Sequence, residues 1–109
     1  MEIPASALRL RIYVGESDRW EHQPLHEAIV QRAREQHLAG ATVTRGLMGF
    51  GKTSRLHTAK LLRLSLDLPI IIEIVDAPDR IHAFLPDLKP MINGGLVTLE
   101  SVSVVAYHG

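Results

Sequence analysis

The sequence predicts a two-layer α+β sandwich, with one four-stranded sheet and two helices on one of its faces. Three observations carry this. Leu8, Leu10, Ile12 and Val14 alternate with Arg9, Arg11 and Tyr13, the period of a strand with one apolar face. Ile70 to Val75 is almost wholly apolar and β-branched, as a central strand is. Leu25, Ala28, Ile29 and Ala33, and later Ile81, Phe84, Leu85 and Leu88, recur at helical spacing. The resulting order is βα, then β and a long connection, then βαβ, and it closes as two layers around one core.

Composition bounds the rest. The chain has 109 residues, enough for one domain with its own core. It is 46% hydrophobic and 22% charged, with 12 basic and 12 acidic residues, so no basic excess points to nucleic acid. Neutrality leaves little charge repulsion between copies and favours self-association. The absence of cysteine excludes disulfides, thiolate metal sites and cysteine nucleophiles, and fits a reducing cytoplasm. The N-terminus, Met1-Glu2-Ile3-Pro4, has no basic region followed by an apolar core, so no signal peptide is expected. The longest uninterrupted run in the third strand, Ile70-Ile71-Ile72, is far too short to span a membrane.

After the first strand, Gly15 to Gln23 reads as a polar connection holding the single tryptophan, Trp20. Pro24 suits a first helical turn, and the spacing predicts a helix from Pro24 to Leu38 with Gly40 as its stop. Ala41, Thr42, Val43, Thr44 and Leu47 form the second strand. Ser54 to Ser65 carries His57, Leu61 and Leu64 at helical offsets, which predicts a short helix or helical loop. Leu68-Pro69 restarts the chain before the third strand. Asp76-Ala77-Pro78 reads as a helix start with Asp76 as the cap, and Pro86 is expected to kink the helix that follows. Gly94-Gly95 ends that helix. Val97, Leu99, Val102, Val104 and Ala106 form a last strand, with a bulge at Glu100-Ser101 where the alternation breaks.

The chemistry concentrates in the second connection. Gly46-Leu47-Met48-Gly49-Phe50-Gly51-Lys52-Thr53-Ser54-Arg55 holds three of the eight glycines, two cations and two hydroxyls. Gly46, Gly51, Lys52 and Thr53 match the phosphate-binding pattern G-x-x-x-x-G-K-[ST], and Ile71 to Asp76 imitates its apolar strand ending in aspartate. The match is short, and the repeated strand–helix units of a nucleotide-hydrolysing domain are missing. A glycine-rich cationic loop still offers backbone N–H groups, Lys52 and Arg55 to a phosphate. The competing reading is that the glycines only permit an excursion and the cations are solvated.

Other constellations are weaker. His22 and His26 have metal-ligand spacing, but Pro24 places His22 before the helix. Ser54, His57 and Asp67 or Asp76 supply nucleophile, base and orienter as residue types, with no spacing that assembles them.

Gly46-x-x-Gly49-Phe50-Gly51, Ser54-Arg55-x-His57-Thr58, Leu62-Arg63-Leu64-Ser65-x-Asp67-Leu68-Pro69 and Ile72-Glu73-Ile74-Val75-Asp76 together resemble the PII-like family labelled domain of unknown function 190. The likeness continues through Phe84-Leu85-Pro86 and Gly95-Leu96-Val97-Thr98. It implies a ferredoxin-like βαββαβ two-layer sandwich, with a four-stranded antiparallel sheet and two helices on one face. Residues 1–109 would be a single PII-like domain, with residues 49–67 as a T-loop-like connection. It implies a trimer whose sheets meet centrally, giving Arg9, Arg11, Tyr13 and Glu73 an inter-subunit role. The C-terminal basic residues of the PII nucleotide signature have no counterpart, since no Lys or Arg follows Lys89.

The expected function is therefore non-enzymatic. It is a cytoplasmic regulator that senses a small anionic effector, an adenine nucleotide such as ATP, ADP or AMP, through Gly46, Gly49, Gly51, Lys52, Arg55 and His57. It would signal through its loop to a partner such as a membrane transporter or ion channel. The alternatives are a P-loop hydrolase and a ligand-free interaction module.

Overall fold

The computed structural model describes residues 3–50, 57–58 and 67–108. Among these, eight strands and two helices follow in order: β1 (Ser6–Gly15), β2 (Arg19–Trp20), β3 (Gln23–Pro24), α1 (Leu25–Glu35), β4 (Thr42–Arg45), β5 (Met48–Gly49), β6 (His57–Thr58), β7 (Pro69–Asp76), α2 (Pro78–Leu88) and β8 (Leu96–Ser103). A 3-10 turn, Lys89–Met91, continues α2.

β4, β7, β1 and β8 form one antiparallel sheet in that spatial order. The chain's first and third long strands thus lie side by side in the centre, with the second and fourth at the edges. This is the ferredoxin-like order, and both helices cover the same face. Leu10, Ile12 and Val14 from β1 and Ile70, Ile72 and Ile74 from β7 meet Leu25, Ala28, Ile29 and Ala33 of α1. Ile81, Phe84 and Leu88 of α2, with Met91, complete the buried cluster. Period two in the strands and period 3.6 in the helices point the apolar sets at each other.

Several local expectations change. The first helix begins one residue later than predicted and ends at Glu35 rather than Leu38. Its stop is not Gly40. His37 takes a left-handed φ of 60°, its N–H donates to Arg34 O, and the Leu38 N–H donates to Ala33 O. That is a Schellman closure with histidine where glycine is usual. The stretch before α1 contains a hairpin that the polar composition concealed. Trp20 pairs with Gln23 across Glu21 and His22, both at positive φ, and Trp20 packs against the core.

No bulge interrupts the last strand. β8 pairs with β1 residue for residue from Leu96↔Tyr13 to Ser103↔Ser6. The broken alternation has another cause: Ser101 lies opposite Leu8 at the outer end of the helix-covered face, while Val102 lies opposite Ala7 on the open face. β8 also stops at Ser103, short of Val104 and Ala106. The second strand is shorter than expected, Thr42–Arg45. Pro86 lies inside α2, which continues to Leu88. The helix expected over Ser54 to Ser65 lies mostly outside the described residues, and His57–Thr58 within it is extended rather than helical.

Asp76 is not a helix cap. It is the last residue of β7, fully buried, and Ala77 occupies the cap position of α2 without a side-chain bond. One Asp76 carboxylate oxygen accepts the Ala77 N–H at 2.7 Å; the other accepts the Ala39 N–H at 2.9 Å and Arg80 Nε at 3.2 Å. Arg80 also donates to the His37 carbonyl. The carboxylate therefore ties the exit of α1 to the start of α2, where the sequence suggests a helix cap.

The face of the sheet away from the helices carries Arg9, Arg11 and Tyr13 from β1, Ile71, Glu73 and Val75 from β7, and Glu100 from β8. Arg11 Nε donates to Glu73 at 2.6 Å, and Arg9 pairs with Glu100. The Tyr13 hydroxyl, then Glu73, holds the Arg11 guanidinium above its ordinary pKa. Both pairs are cross-strand neighbours, placed as the antiparallel register demands.

Candidate functional site

The two ends of the second connection are fixed side by side. As the chain leaves β4, the Gly46 N–H donates to the Pro69 carbonyl at 2.7 Å. A Cβ at Gly46 would stand 2.7 Å from Cγ of the Pro69 ring, and one at Gly49 would stand 3.0 Å from the same atom. Neither glycine has positive φ. Close approach to a stiff ring, rather than an unusual dihedral, is therefore what Gly46-x-x-Gly49 supplies.

The other end is held by the turn after β1. The Ser17 N–H donates to Asp67 Oδ1 at 2.8 Å, and the Glu16 N–H donates to the Leu68 carbonyl at 2.9 Å. Glu16 reaches back to Arg45 with a 2.9 Å ion pair, which brings the same turn to the end of β4. Asp18 closes the turn by accepting the Gly15 N–H at 2.9 Å, and its carbonyl accepts the Leu25 N–H at the start of α1. Asp67, Leu68 and Pro69 thus have three separate jobs: an acid on a backbone amide, a side chain in the core (1% exposed), and a ring beneath two glycines.

Of the six predicted ligand residues, the structure brings together Gly46, Gly49 and the backbone of His57. β5 and β6 pair Gly49 with His57 and Met48 with Thr58, so the connection folds back on itself just past the glycines. Gly51, Lys52 and Arg55 lie outside the described residues. Glu16 carries no signal in the sequence, and the contacts of Asp67 and Pro69 are not among those their positions suggest. The signal for Asp67 and Pro69 was present in Asp67-Leu68-Pro69, but their contacts lie far away in sequence.

The surroundings differ from those of a nucleotide-hydrolysing P-loop, which follows a buried parallel strand. β4 is an exposed edge strand that runs antiparallel to β7. The aspartate that imitates the second half of that motif, Asp76, has both oxygens engaged by backbone and Arg80. His22 sits in the β2–β3 turn, ahead of α1, so it does not share a helix face with His26. Among the described residues no group of three His, Asp or Glu side chains is arranged for a metal. No helix among them is long and apolar enough to cross a membrane.

Edge order, helix placement and a long connection between the second and third principal strands define the class: a ferredoxin-like fold of the PII-like kind. Similar solved structures carry the same arrangement. A nitrogen regulatory PII-like protein from Thiomonas intermedia K12, solved bound to ADP, AMP and bicarbonate, superposes with a TM-score of 0.70 at 17% identity, over 91% of this chain and 88% of that one. A PII-like signalling protein structure from Thermus thermophilus gives 0.62 at 20% identity, over 91% and 90%. At such identities the likeness is one of fold.

Sequence relationship is closer within one family. The profile of the domain of unknown function 190 family, described as Uncharacterized ACR, matches residues 7–104, and the chain belongs to that family. A UPF0166 protein of Aquifex aeolicus (strain VF5) is 41% identical over 96 residues, spanning 88% of this chain and 90% of that protein. A UPF0166 protein of Methanocaldococcus jannaschii is 34% identical over 96 residues, spanning 87% and 88%.

Proposed function

We propose that this protein is a cytoplasmic, non-enzymatic PII-like regulator, with residues 1–109 acting as one unit. It senses a small anionic effector, an adenine nucleotide, and reports it to a partner such as a membrane transporter through the 49–67 connection. The observation that carries the reading is the position of the glycine-rich, cationic stretch. It opens the connection between β4 and β7, in a fold shared with a PII-like protein solved with adenine nucleotides. In this reading Gly46 and Gly49, packed on Pro69, set the exit of the connection, Gly51, Lys52 and Arg55 meet the phosphate, and His57 lies across from Gly49.

Calorimetry with ATP, ADP and AMP tests this. Binding of at least one is expected, and Lys52→Ala and Arg55→Ala are each expected to weaken it about ten- to a hundredfold, the effect of losing one charge-assisted contact of about 1.5–3 kcal/mol. No heat with any of the three at millimolar concentration removes the nucleotide from the proposal. Magnesium-dependent phosphate release that disappears in Lys52→Ala would instead establish the hydrolase.

The regulator is also proposed to be a trimer, built on the open sheet face. That face presents Ile71, Val75, Leu96 and Val102 among the Arg11–Glu73 and Arg9–Glu100 pairs. Solvent-screened pairs of this sort contribute little in water, and so do not by themselves explain an apolar-and-paired face. Light scattering is expected to give three times the 12.1 kDa chain mass. A monomer at micromolar concentration overturns the assembly.

A further inference from the structure

We propose that the turn Gly15–Asp18 is a clamp on the 49–67 connection and that Asp67 is its releasable jaw. The inference deepens the reading above by saying how the signalling connection is held, and it rests on that reading only for its use. The two residues that end the connection are unlike each other. Leu68 is locked, with its side chain in the core and its carbonyl on the Glu16 N–H. Asp67, one residue earlier, is held from outside by one exposed bond among the described residues, from the Ser17 N–H.

Gly15 makes that bond possible. A Cβ on residue 15 would stand 2.6 Å from Asp67 Oδ1 and 3.1 Å from Oδ2, so the carboxylate fills the space that a side chain would take. The boundary between fixed core and connection therefore falls at the Asp67–Leu68 junction. Letting go of Asp67 moves that boundary by one residue without disturbing the sheet. The clamp has a second contact, Glu16 with Arg45, on the opposite end of the connection, and a third, Leu25 N–H on the Asp18 carbonyl, on α1. One four-residue turn thus touches both exits of the connection and the start of a helix.

Amide exchange of the ligand-free protein, resolved residue by residue, tests the clamp whether or not any nucleotide binds. In Asp67→Ala, exchange of the Ser17 amide is expected to rise about tenfold or more, because its only acceptor among the described residues is gone. The neighbouring Glu16 amide, held by Leu68, should keep its wild-type rate. Asp67→Asn retains a carbonyl oxygen and should protect Ser17. Gly15→Ala should reproduce the Ser17 effect with Asp67 intact. Equal acceleration of Ser17 and Glu16 would mean general loosening and overturns a releasable jaw, as does an unchanged Ser17 rate in Asp67→Ala.

Discussion

Replacing Asp76 by alanine is expected to lower the unfolding free energy by about 3 kcal/mol, the largest polar effect among the described residues. Asp76 is fully buried and accepts from Ala39 N, Ala77 N and Arg80 Nε. Removal strands two part-buried amide hydrogens, of Ala39 and Ala77, and a buried unmet donor costs about 1–3 kcal/mol. Arg80 is about one-third exposed and keeps its bond to the His37 carbonyl, so its charge adds less. Arg80→Met should therefore cost under half as much as Asp76→Ala. Asn at position 76 retains one acceptor oxygen and should fall between wild type and alanine. Urea unfolding of the variants gives the comparison. A loss below about 1 kcal/mol for Asp76→Ala would show that the two amides find other partners.

Phe84→Ala is expected to cost about 3–5 kcal/mol. Phe84 is the largest of the fully buried side chains and lies on α2, in the cluster that both central strands share. Among the described residues the sandwich has two layers, and the gap left by the ring lies between them. The loss should appear in the denaturant midpoint with little change in slope, since the surface exposed on unfolding is nearly the same. Phe84→Leu, which keeps most of the volume, should cost less than half as much. Equal costs for leucine and alanine would mean that the ring's shape, rather than its volume, is what the core requires.

The fold was legible because its signals are periodic. Alternation in Leu8–Val14, the apolar run Ile70–Val75 and the helical stripes are local patterns, and they become the central strands and both helices. What was misread depends on contacts distant in sequence or on unusual backbone. His37 at positive φ ends α1 where a glycine was expected three residues later. Glu21 and His22 form a tight turn without glycine. The Glu100-Ser101 irregularity looked like a bulge because the sequence does not show that Val102 has an apolar neighbour, Ala7, on the other face.

The site was legible as a place rather than as an assembly. Glycine spacing marked where the chain does something unusual, but it could not distinguish phosphate approach from approach to Pro69, 20 residues after Gly49. Asp76 shows the converse difficulty. Strand followed by aspartate followed by proline fits a cap, a metal ligand or a buried brace, and only the amide of Ala39, 37 positions away, selects the last.

The proximity of the connection's two exits has a consequence for how such a chain can vary over time. Gly46 and Gly49 rest on Pro69, and Asp67 and Arg45 both reach the same turn, so the segment between them begins and ends at nearly one point. Closing a segment whose ends already coincide costs entropy that grows only with the logarithm of its length, about 0.6 kcal/mol for each doubling. The entropy of closing the connection therefore sets only a weak limit on its length. The fold can keep its core and its glycines while the length and composition of the stretch between them change.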